Sequence, residues 1–179
     1  MRRSMTSPLV TVRPATAADA HTLAALAIQV WLDTYATDGV NDLLGRYVLS
    51  TFTPAAFAGW AEAPDAALRV AQVDGHLVGY ALLQFNAAQP LAPHCDTELR
   101  TLYVQSPFTR SGVGSVLLRE ARSAAHARTG NDGLWLTVNV KNQRACAFYE
   151  KHGLAVTGLT QFVLGEERHD NHVMATPPN

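Results

Sequence analysis

The segment "ELRTLYVQSPFTRSGVGSVLLREA", residues 98–121, leads from a predicted strand through a bare turn into a predicted helix. The strand covers Glu98 to Val104, and apolar residues at helical spacing predict the helix from about Ser111 to Arg128. The turn itself, "TRSGVGS" (Thr109–Ser115), contains two glycines, two serines and one arginine. A polar turn that opens a helix leaves several backbone N–H groups unpaired and pointing the same way. We therefore expect this turn to bind an anion, most often a phosphate.

The residues after this helix complete a strand–helix–strand unit. "GLWLTVNV" (Gly133–Val140) has the apolar character of a buried strand. Two strands joined by a helix in this way lie parallel in one sheet, with a right-handed crossover. Earlier in the chain, "ALRVAQVDGHLVGYALLQF" predicts a hairpin that turns at Asp74-Gly75. The pattern indicates one mixed α/β domain over residues 9–176, preceded by a flexible segment, residues 1–8.

The rest of the chain alternates between short strands and helices. Apolar spacing from Leu23 to Trp31 predicts a first helix that Thr16 can cap and that fades near Tyr35. The remaining predicted elements are a strand at Leu9 to Arg13, a helical region from Asn41 to Trp60 broken before Pro54, a helix at Asn142 to Lys151 stopped by Gly153, and strands at about Ala155 to Leu164 and Asp170 to Thr176 with "GEERH" as their turn.

The composition limits the class of protein. The chain has 179 residues, 47% of them hydrophobic, and a formal net charge of -1, which is enough for one packed core and short for two. The near-neutral charge argues against a nucleic-acid binder, and no run has the length of a signal peptide or a membrane span. Cys95 and Cys146 make neither a disulfide framework nor a zinc site, and the histidines lack metal-ligand spacing. We expect a cytoplasmic protein without a metal, a nucleic-acid partner or a membrane partner.

The glycines of the turn do not by themselves identify the phosphate. A P-loop requires a Lys-Ser/Thr pair after its second glycine, whereas "SVLLRE" follows Gly114. A dinucleotide fingerprint requires a third glycine, where this chain has Leu117, and an acidic residue after the second strand, where it has "VNV". The sequence therefore argues against a nucleoside triphosphatase and against a dinucleotide-dependent enzyme.

A longer pattern is more specific. "ELRTLYVQSPFTRSGVGSVLLREA" followed by "NVKNQRACAFYEKHGLAVTG" resembles the acetyl-CoA half of the GNAT family, the GCN5-related N-acetyltransferases. The resemblance covers Glu98 to Gly158 and extends more loosely over Val10 to Phe85. It implies a mixed, mostly antiparallel sheet of six to seven strands with a central parallel pair and about four flanking helices. It also implies acetyl-CoA as the co-substrate, so that the phosphate would be the diphosphate of coenzyme A.

The resemblance assigns the cofactor to particular residues. The backbone of the strand would pair with the pantetheine arm, and the amides of the turn would hold the diphosphate, with glycines that keep side chains away from the phosphate oxygens. Thr109 stands where the family usually has Arg or Gln, and an arginine follows one place later. The implied cofactor-binding residues are Leu102, Tyr103, Val104, Thr109, Arg110, Ser111, Gly112, Val113, Gly114, Ser115, Asn142 and Tyr149.

The same resemblance suggests two catalytic residues. Tyr149, in "AFYEKHG", would act on the departing thiolate, although full proton transfer from a phenol to a thiolate is uphill by about 2 kcal/mol; the alternative is a tyrosine that only packs on the sheet. Glu98 would act as a general base for the acceptor ammonium, and the alternatives are a pair with Arg100 or a relay through water. Asn142 is also a natural helix N-cap. Cys146 is better explained as a packed thiol than as a nucleophile, because no His–Asp pattern surrounds it.

The acceptor amine is the least determined part of the prediction. "WLDTYATDGVNDLLGRYVLSTF" and "TGLTQFVLGEERHDNHVMAT" resemble bacterial polyamine N-acetyltransferases, which makes a small-molecule polyamine the leading acceptor. Amino acids, antibiotics and protein N-termini remain alternatives, as does a module that binds acetyl-CoA without turnover. A homodimer through an exposed strand edge is compatible with the pattern. The acidic residues that could steer a polycation are Asp33, Asp38, Asp42, Glu98, Glu166, Glu167 and Asp170.

Two further pairs of residues complete the sequence predictions. His169 and His172 lie three apart in a predicted strand, which places them on opposite faces, and we expect both to be solvated. Trp31 and Trp135 are predicted to lie in the core.

Overall fold

A computed structural model describes residues 9–178, so the segment predicted to be flexible, residues 1–8, lies outside the described residues. Within that range the chain forms seven strands and five α-helices. The strands are β1 (Thr11–Pro14), β2 (Ala66–Val73), β3 (His76–Gln84), β4 (Glu98–Val104), β5 (Trp135–Asn139), β6 (Ala155–Leu164) and β7 (Glu167–Ala175). The helices are α1 (Ala20–Tyr35), α2 (Asp42–Thr51), α3 (Pro54–Glu62), α4 (Val113–Thr129) and α5 (Gln143–Lys151).

The seven strands form one sheet in the order β1-β2-β3-β4-β5-β7-β6. The β4–β5 pair is parallel and every other neighbouring pair is antiparallel. This arrangement confirms the predicted fold class, a mixed and mostly antiparallel sheet with a central parallel pair. No helix among residues 9–178 is both long and apolar enough to cross a membrane.

Helices cover both faces of the sheet and create two cores. On one face α1, α2 and α3 pack with side chains such as Phe57, Val70 and Tyr80. On the other face α4 and α5 pack over residues such as Leu83 and Leu136. Each buried aliphatic or aromatic side chain contributes about 1.5–3 kcal/mol relative to an exposed one, so both helical layers are fixed to the sheet.

Local signals explain most element boundaries. The region predicted as one interrupted helix is two helices, because Thr53 caps α3 through its hydroxyl and Pro54 occupies the first turn. Five helices therefore stand where about four were expected. Thr16 and Asp19 form a capping box ahead of α1, and Asp19 also binds Arg13 at 2.8 Å.

Two predicted boundaries were wrong. The first strand begins at Thr11 rather than Leu9. The last strand begins at Glu167 rather than Asp170, because Leu164 pairs with Glu167 and the turn is only two residues long. Gly165 has a φ of 59°, in the left-handed region that glycine adopts readily, and this allows the two-residue turn. The rest of "GEERH" therefore belongs to β7.

Candidate active site

Residues predicted from the sequence to bind the cofactor meet in a cleft between β4 and β5. Within residues 9–178, Glu98 and Trp135 are the only residues that pair between these two parallel strands, and the strands separate beyond this pair. The cleft has a volume of about 1220 Å³, larger than the roughly 300–1,000 Å³ typical of a site for one small ligand. It therefore has room for two reactants. Its lining comes from α1, α2, β4, the turn before α4, β5, α5 and the β6–β7 hairpin.

A bulge in β4 shapes the cleft. Leu82 pairs with Thr101 and Leu83 pairs with Leu99, so Arg100 is an extra residue in the strand. Such bulges re-aim side chains and are common beside active sites. Arg100 lines the cleft, and the sequence analysis missed this because no local pattern reveals the register of β4 against β3.

The turn before α4 presents backbone N–H groups. Arg110 and Gly112 have positive φ values, 72° and 84°, and turns of this kind gather successive N–H groups into one concavity. The first α4 amide that donates to a carbonyl is that of Val116, which contacts Gly112 at 3.0 Å. Five amides have no backbone carbonyl as acceptor within residues 9–178, and they belong to Arg110, Gly112, Val113, Gly114 and Ser115. This arrangement suits an anion.

Three residues of the predicted phosphate site contribute less than expected. The amide and the hydroxyl of Ser111 both donate to the Phe108 carbonyl, at 3.4 and 2.5 Å, and Ser111 does not line the cleft. Thr109 lines the cleft, but its amide and hydroxyl both donate to the Ser106 carbonyl, at 3.3 and 2.7 Å. The Val113 side chain is fully buried in the core, so only its amide remains available.

The two glycines of the turn are required for different reasons. Gly112 has the left-handed φ that favours glycine, with open space around it. At Gly114, a Cβ would lie 3.3 Å from the ring of Phe148. The sequence analysis attributed both glycines to the phosphate, whereas Gly114 also allows α5 to approach α4 closely.

A serine–histidine pair joins these two helices at the cleft. Ser115 Oγ lies 2.9 Å from His152 Nε2, and His152 Nδ1 lies 2.8 Å from the Phe148 carbonyl. Because a carbonyl only accepts, Nδ1 carries a hydrogen, and in the neutral ring Nε2 then accepts the Ser115 hydroxyl hydrogen. His152 lines the cleft beside Arg144 and Lys151. His152 was not among the site residues predicted from the sequence. We call the turn amides of residues 110 and 112–115 together with Arg144, Lys151 and His152 the amide wall.

Tyr149 lies on α5, is only 8% exposed and lines the cleft. Burial raises the pKa of its phenol, and the neighbouring phenol of Tyr35 raises it further. The phenol is therefore protonated at neutral pH, as a hydrogen-bond donor to a developing anion requires.

Leu102, Tyr103 and Val104 line the opposite side of the cleft. Beyond Glu98, the edge of β4 that faces β5 has no registered partner strand within residues 9–178.

Glu98 lies at the closed end of the cleft and not on its lining. It is the residue paired with Trp135, and lining begins at the next residue, Leu99. Burial raises the pKa of the Glu98 carboxyl, and the positive charge of Arg100 opposes the rise. The carboxyl predicted as a general base is thus half-buried and stands behind the cleft lining.

The side chains of Asn142 and Cys146 lie in different environments. The Asn142 side chain accepts from the Ala145 amide at 3.1 Å as the N-cap of α5, and it also lines the cleft. The thiol of Cys146 packs against the core and lies 3.9 Å from the Asn139 carbonyl. Burial and the charge of Glu150 raise the pKa of this thiol, which disfavours a nucleophilic thiolate.

The wall opposite the amides is aromatic. Trp31 and Tyr35 from α1, Tyr47 from α2 and Phe162 from β6 all line the cleft, and we call these four residues the aromatic wall. Trp31 is 5% exposed and Trp135 is also buried, which agrees with the prediction that both tryptophans lie in the core. The wall was not predicted, because its members are far apart in sequence.

Three of the seven predicted steering carboxylates reach the cleft, namely Asp33, Asp38 and Glu167. Asp42 instead contacts Arg46 at 2.6 Å, and Asp170 accepts from Gln161 at 3.1 Å. Glu98 and Glu166 do not line the cleft.

The prediction that His169 and His172 are both solvated fails at His172. The His169 side chain is half-buried on the cleft side of β7, with Nε2 3.3 Å from Glu167. His172 is also half-buried, and its Nδ1 is fully enclosed without a hydrogen-bond partner within residues 9–178. Both results follow from the hairpin folding back onto the rest of the chain.

The chain belongs to the acetyltransferase (GNAT) family, whose profile matches residues 28–154. An uncharacterised N-acetyltransferase of Mycobacterium bovis is 31% identical over 156 residues, which cover 87% of this chain and 96% of that protein. The enzyme is accordingly an acetyl-CoA-dependent N-acetyltransferase.

Solved structures share the fold. The PaiA N-acetyltransferase from Thermoplasma acidophilum, solved in complex with coenzyme A, aligns with a TM-score of 0.76 at 22% identity, over 94% of this chain and 98% of that one. An acetyltransferase of the GNAT family from Streptococcus pneumoniae aligns with a TM-score of 0.70 at 23% identity, over 94% and 99% of the two chains.

Proposed function

We propose that residues 9–176 form a single N-acetyltransferase domain that transfers the acetyl group of acetyl-CoA directly to a primary amine of a small molecule. The observation that carries the proposal is that one cleft is lined by the buried phenol of Tyr149 and by Arg110, Gly112, Gly114 and Ser115, whose amides have no backbone acceptor within residues 9–178. The Thermoplasma structure in complex with coenzyme A supports the choice of cofactor.

The amide wall holds the diphosphate in this proposal. The N–H groups of residues 110 and 112–115 donate to phosphate oxygens, and the start of α4 adds partial positive charge. Arg144 and Lys151 on α5 line the same cleft and add full positive charges. The pantetheine arm lies along Leu102, Tyr103 and Val104, taking the place of a strand where β5 has diverged, and it meets the side chain of Asn142.

Chemistry follows at the thioester carbon. The acceptor ammonium loses one proton, and the neutral amine attacks the carbonyl carbon to form the C–N bond, after which the C–S bond breaks and the thiolate of coenzyme A leaves. The Tyr149 phenol donates a hydrogen bond to the sulfur as negative charge develops there. The second amine proton finally protonates the thiolate, which gives the free thiol of coenzyme A. Because Glu98 lies behind the lining, we assign the first proton to water and give Glu98 a positioning role at the apex of the cleft.

The carboxylates of the cleft favour a cationic acceptor. Asp33, Asp38 and Glu167 line the cleft, and together with the sequence resemblance they make a polyamine the leading acceptor.

The test combines calorimetry with acetyl-CoA and a thiol-release assay over a panel of amines. We expect saturable acetyl-CoA binding, and release that depends on the added amine. Binding without release on any amine would identify a sensor, and the absence of binding would remove the proposal. Desulfo-CoA serves as a matched control that binds without turnover.

A homodimer is proposed separately. Within residues 9–178, β6 is the last strand of the sheet and has no partner on its outer edge, and it carries the exposed side chains Val156, Leu159 and Val163. An edge of this kind can pair with a second copy. Analytical ultracentrifugation of the wild type and of Leu159→Lys tests it, since a wild-type monomer would refute the pairing.

A further inference from the structure

The aromatic wall is continuous across three elements of the fold. Ring centroids of Tyr35 and Trp31 are 4.9 Å apart, those of Trp31 and Tyr47 are 4.8 Å apart, and those of Tyr47 and Phe162 are 5.9 Å apart. Each ring therefore contacts the next, from the end of α1 across α2 to β6. The result is one surface and not four separate side chains.

This surface is exposed at both ends and buried in the middle. Tyr35 is 41% exposed and Phe162 is 36% exposed, whereas Trp31 is only 5% exposed. The nearby rings of Phe52 and Tyr80, which also belong to the helical core, are 7% and 1% exposed. Aromatic faces left open inside a concave cleft are characteristic of a ligand-binding surface.

The wall begins beside the reaction centre. Tyr35 and Tyr149 line the same cleft, and after burial the phenol of Tyr35 is the next cause that raises the pKa of Tyr149. From Tyr35 the rings continue through Trp31 and Tyr47 to Phe162 on the β6–β7 hairpin, so an acceptor whose amine reacts at Tyr149 has a row of rings along which the rest of its chain can extend.

The charge around the wall is negative. Asp33, Asp38 and Glu167 line this part of the cleft. Within residues 9–178, no cationic side chain lies within 4.0 Å of Asp33 or Asp38, and Glu167 contacts only His169. The lining cations stand elsewhere, with Arg110, Arg144 and Lys151 on the amide wall and Arg100 at the bulge of β4.

We propose that the aromatic wall binds a second ammonium group of the acceptor, the one that is not acetylated, so that the enzyme prefers linear diamines and polyamines to amines with a neutral tail. This inference rests on the proposed function and adds the residues that recognise the acceptor. An ammonium over aromatic faces is attracted by the ring quadrupoles, and most strongly where water is partly excluded. The carboxylates add a longer-range attraction that salt screens.

The test compares acceptors that share the reactive end. Thiol release is measured with 1,6-diaminohexane, 6-amino-1-hexanol and hexylamine, which differ only in the remote group. We expect the diamine to have about tenfold higher kcat/KM than the amino alcohol, the size of a partly desolvated cation–π contact. Equal or higher kcat/KM for the amino alcohol would overturn the inference, and so would a higher value for phenethylamine, which would show that the wall stacks an aryl tail.

Variants assign the effect to the rings. Phe162→Leu keeps an apolar side chain without a π face, and we expect it to lower kcat/KM for the diamine at least threefold more than kcat/KM for hexylamine. Tyr47→Phe keeps the ring and should retain the preference. Val163→Ala, on the same strand but outside the cleft lining, is the matched control. Circular dichroism confirms that each variant is folded.

Direct binding separates this inference from the proposed function. Calorimetry titrates 1,6-diaminohexane and 6-amino-1-hexanol into the protein saturated with coenzyme A, so no turnover is needed. If no amine releases thiol, the proposed acetyl transfer fails, but tighter binding of the diamine would still support the wall as an ammonium site. Equal binding of the two compounds refutes the wall, whether or not acetyl transfer occurs.

Discussion

The amide wall and the aromatic wall face each other across one cleft and recognise charge by opposite means. The amide wall offers backbone N–H groups that the helix geometry leaves unpaired, together with Arg144 and Lys151. The aromatic wall offers ring faces and nearby carboxylates from elements far apart in sequence. Backbone donors tolerate many side-chain changes, whereas a surface of packed rings depends on each residue. The cofactor side is therefore expected to be robust to substitution, and the acceptor side to set specificity.

The largest expected effect concerns the phenol of Tyr149, which lies between the two walls. Tyr149→Phe removes the phenol hydroxyl without removing the ring, so we expect kcat to fall by about 10² to 10⁴, the typical loss of a catalytic proton donor. Acetyl-CoA affinity should stay unchanged, as measured by calorimetry. Tyr103→Phe, on the facing strand, is the matched control and should change kcat by less than tenfold. Retention of full kcat by Tyr149→Phe would remove the assignment.

The next prediction tests the amide wall with a pair of glycines at the two ends of α4. Gly112→Ala forces an L residue to φ near 84°, which costs about 1–2 kcal/mol, and relief of this strain would turn the amides away. We expect acetyl-CoA to bind about tenfold more weakly, the equivalent of one charge-assisted hydrogen bond.

Gly130→Ala is the control for that experiment. Gly130 has φ of 77° at the opposite end of the same helix and does not line the cleft. Its replacement should lower the unfolding free energy by a similar amount, measured by urea denaturation, while acetyl-CoA affinity is kept. If both variants bind equally well, the turn amides do not hold the diphosphate.

The contrast between the walls also explains what the sequence could predict. The strand, turn and helix of residues 98–129 are local features with their own signals, so their order and the parallel pair were predicted correctly. The aromatic wall needs the register of β6 against β7 and the packing of α1 on α2, neither of which a local pattern contains. For the same reason His172 was predicted to be solvated, although its ring is half-buried with an enclosed Nδ1. The internal hydrogen bonds of Ser111 were likewise hidden, since they depend on how the turn folds onto Phe108.

A smaller effect is expected at Glu98, at the closed end of the cleft, where the direction of the pKa shift predicts how the unfolding free energy changes with pH. Burial raises the pKa of this carboxyl in the folded state, so the folded protein holds the proton to higher pH than the unfolded chain. Its contribution to the unfolding free energy therefore decreases as pH rises from about 4.3, the ordinary pKa of Glu, through the raised value. Glu98→Gln should be more stable than the wild type above that range and should lose the difference below it.

Urea denaturation of both proteins between pH 4 and pH 8 measures this difference. We also expect kcat of Glu98→Gln to fall by less than tenfold, because the side chain lies behind the cleft lining. A loss of 10² or more would make Glu98 the general base and would contradict the relay through water.

The smallest expected effect concerns the carboxylates around the aromatic wall. Asp38 is exposed on the cleft, so its attraction for a cationic acceptor is weak and screened. Asp38→Asn should raise the KM for 1,6-diaminohexane about two- to fivefold at low salt and leave hexylamine nearly unchanged. Asp42→Asn removes a carboxylate of similar exposure that contacts Arg46 outside the lining, so it should leave both KM values unchanged. If the two variants behave alike, or if the effect of Asp38→Asn persists at high salt, long-range attraction is not how the acceptor side selects its amine, and the rings alone would carry the preference.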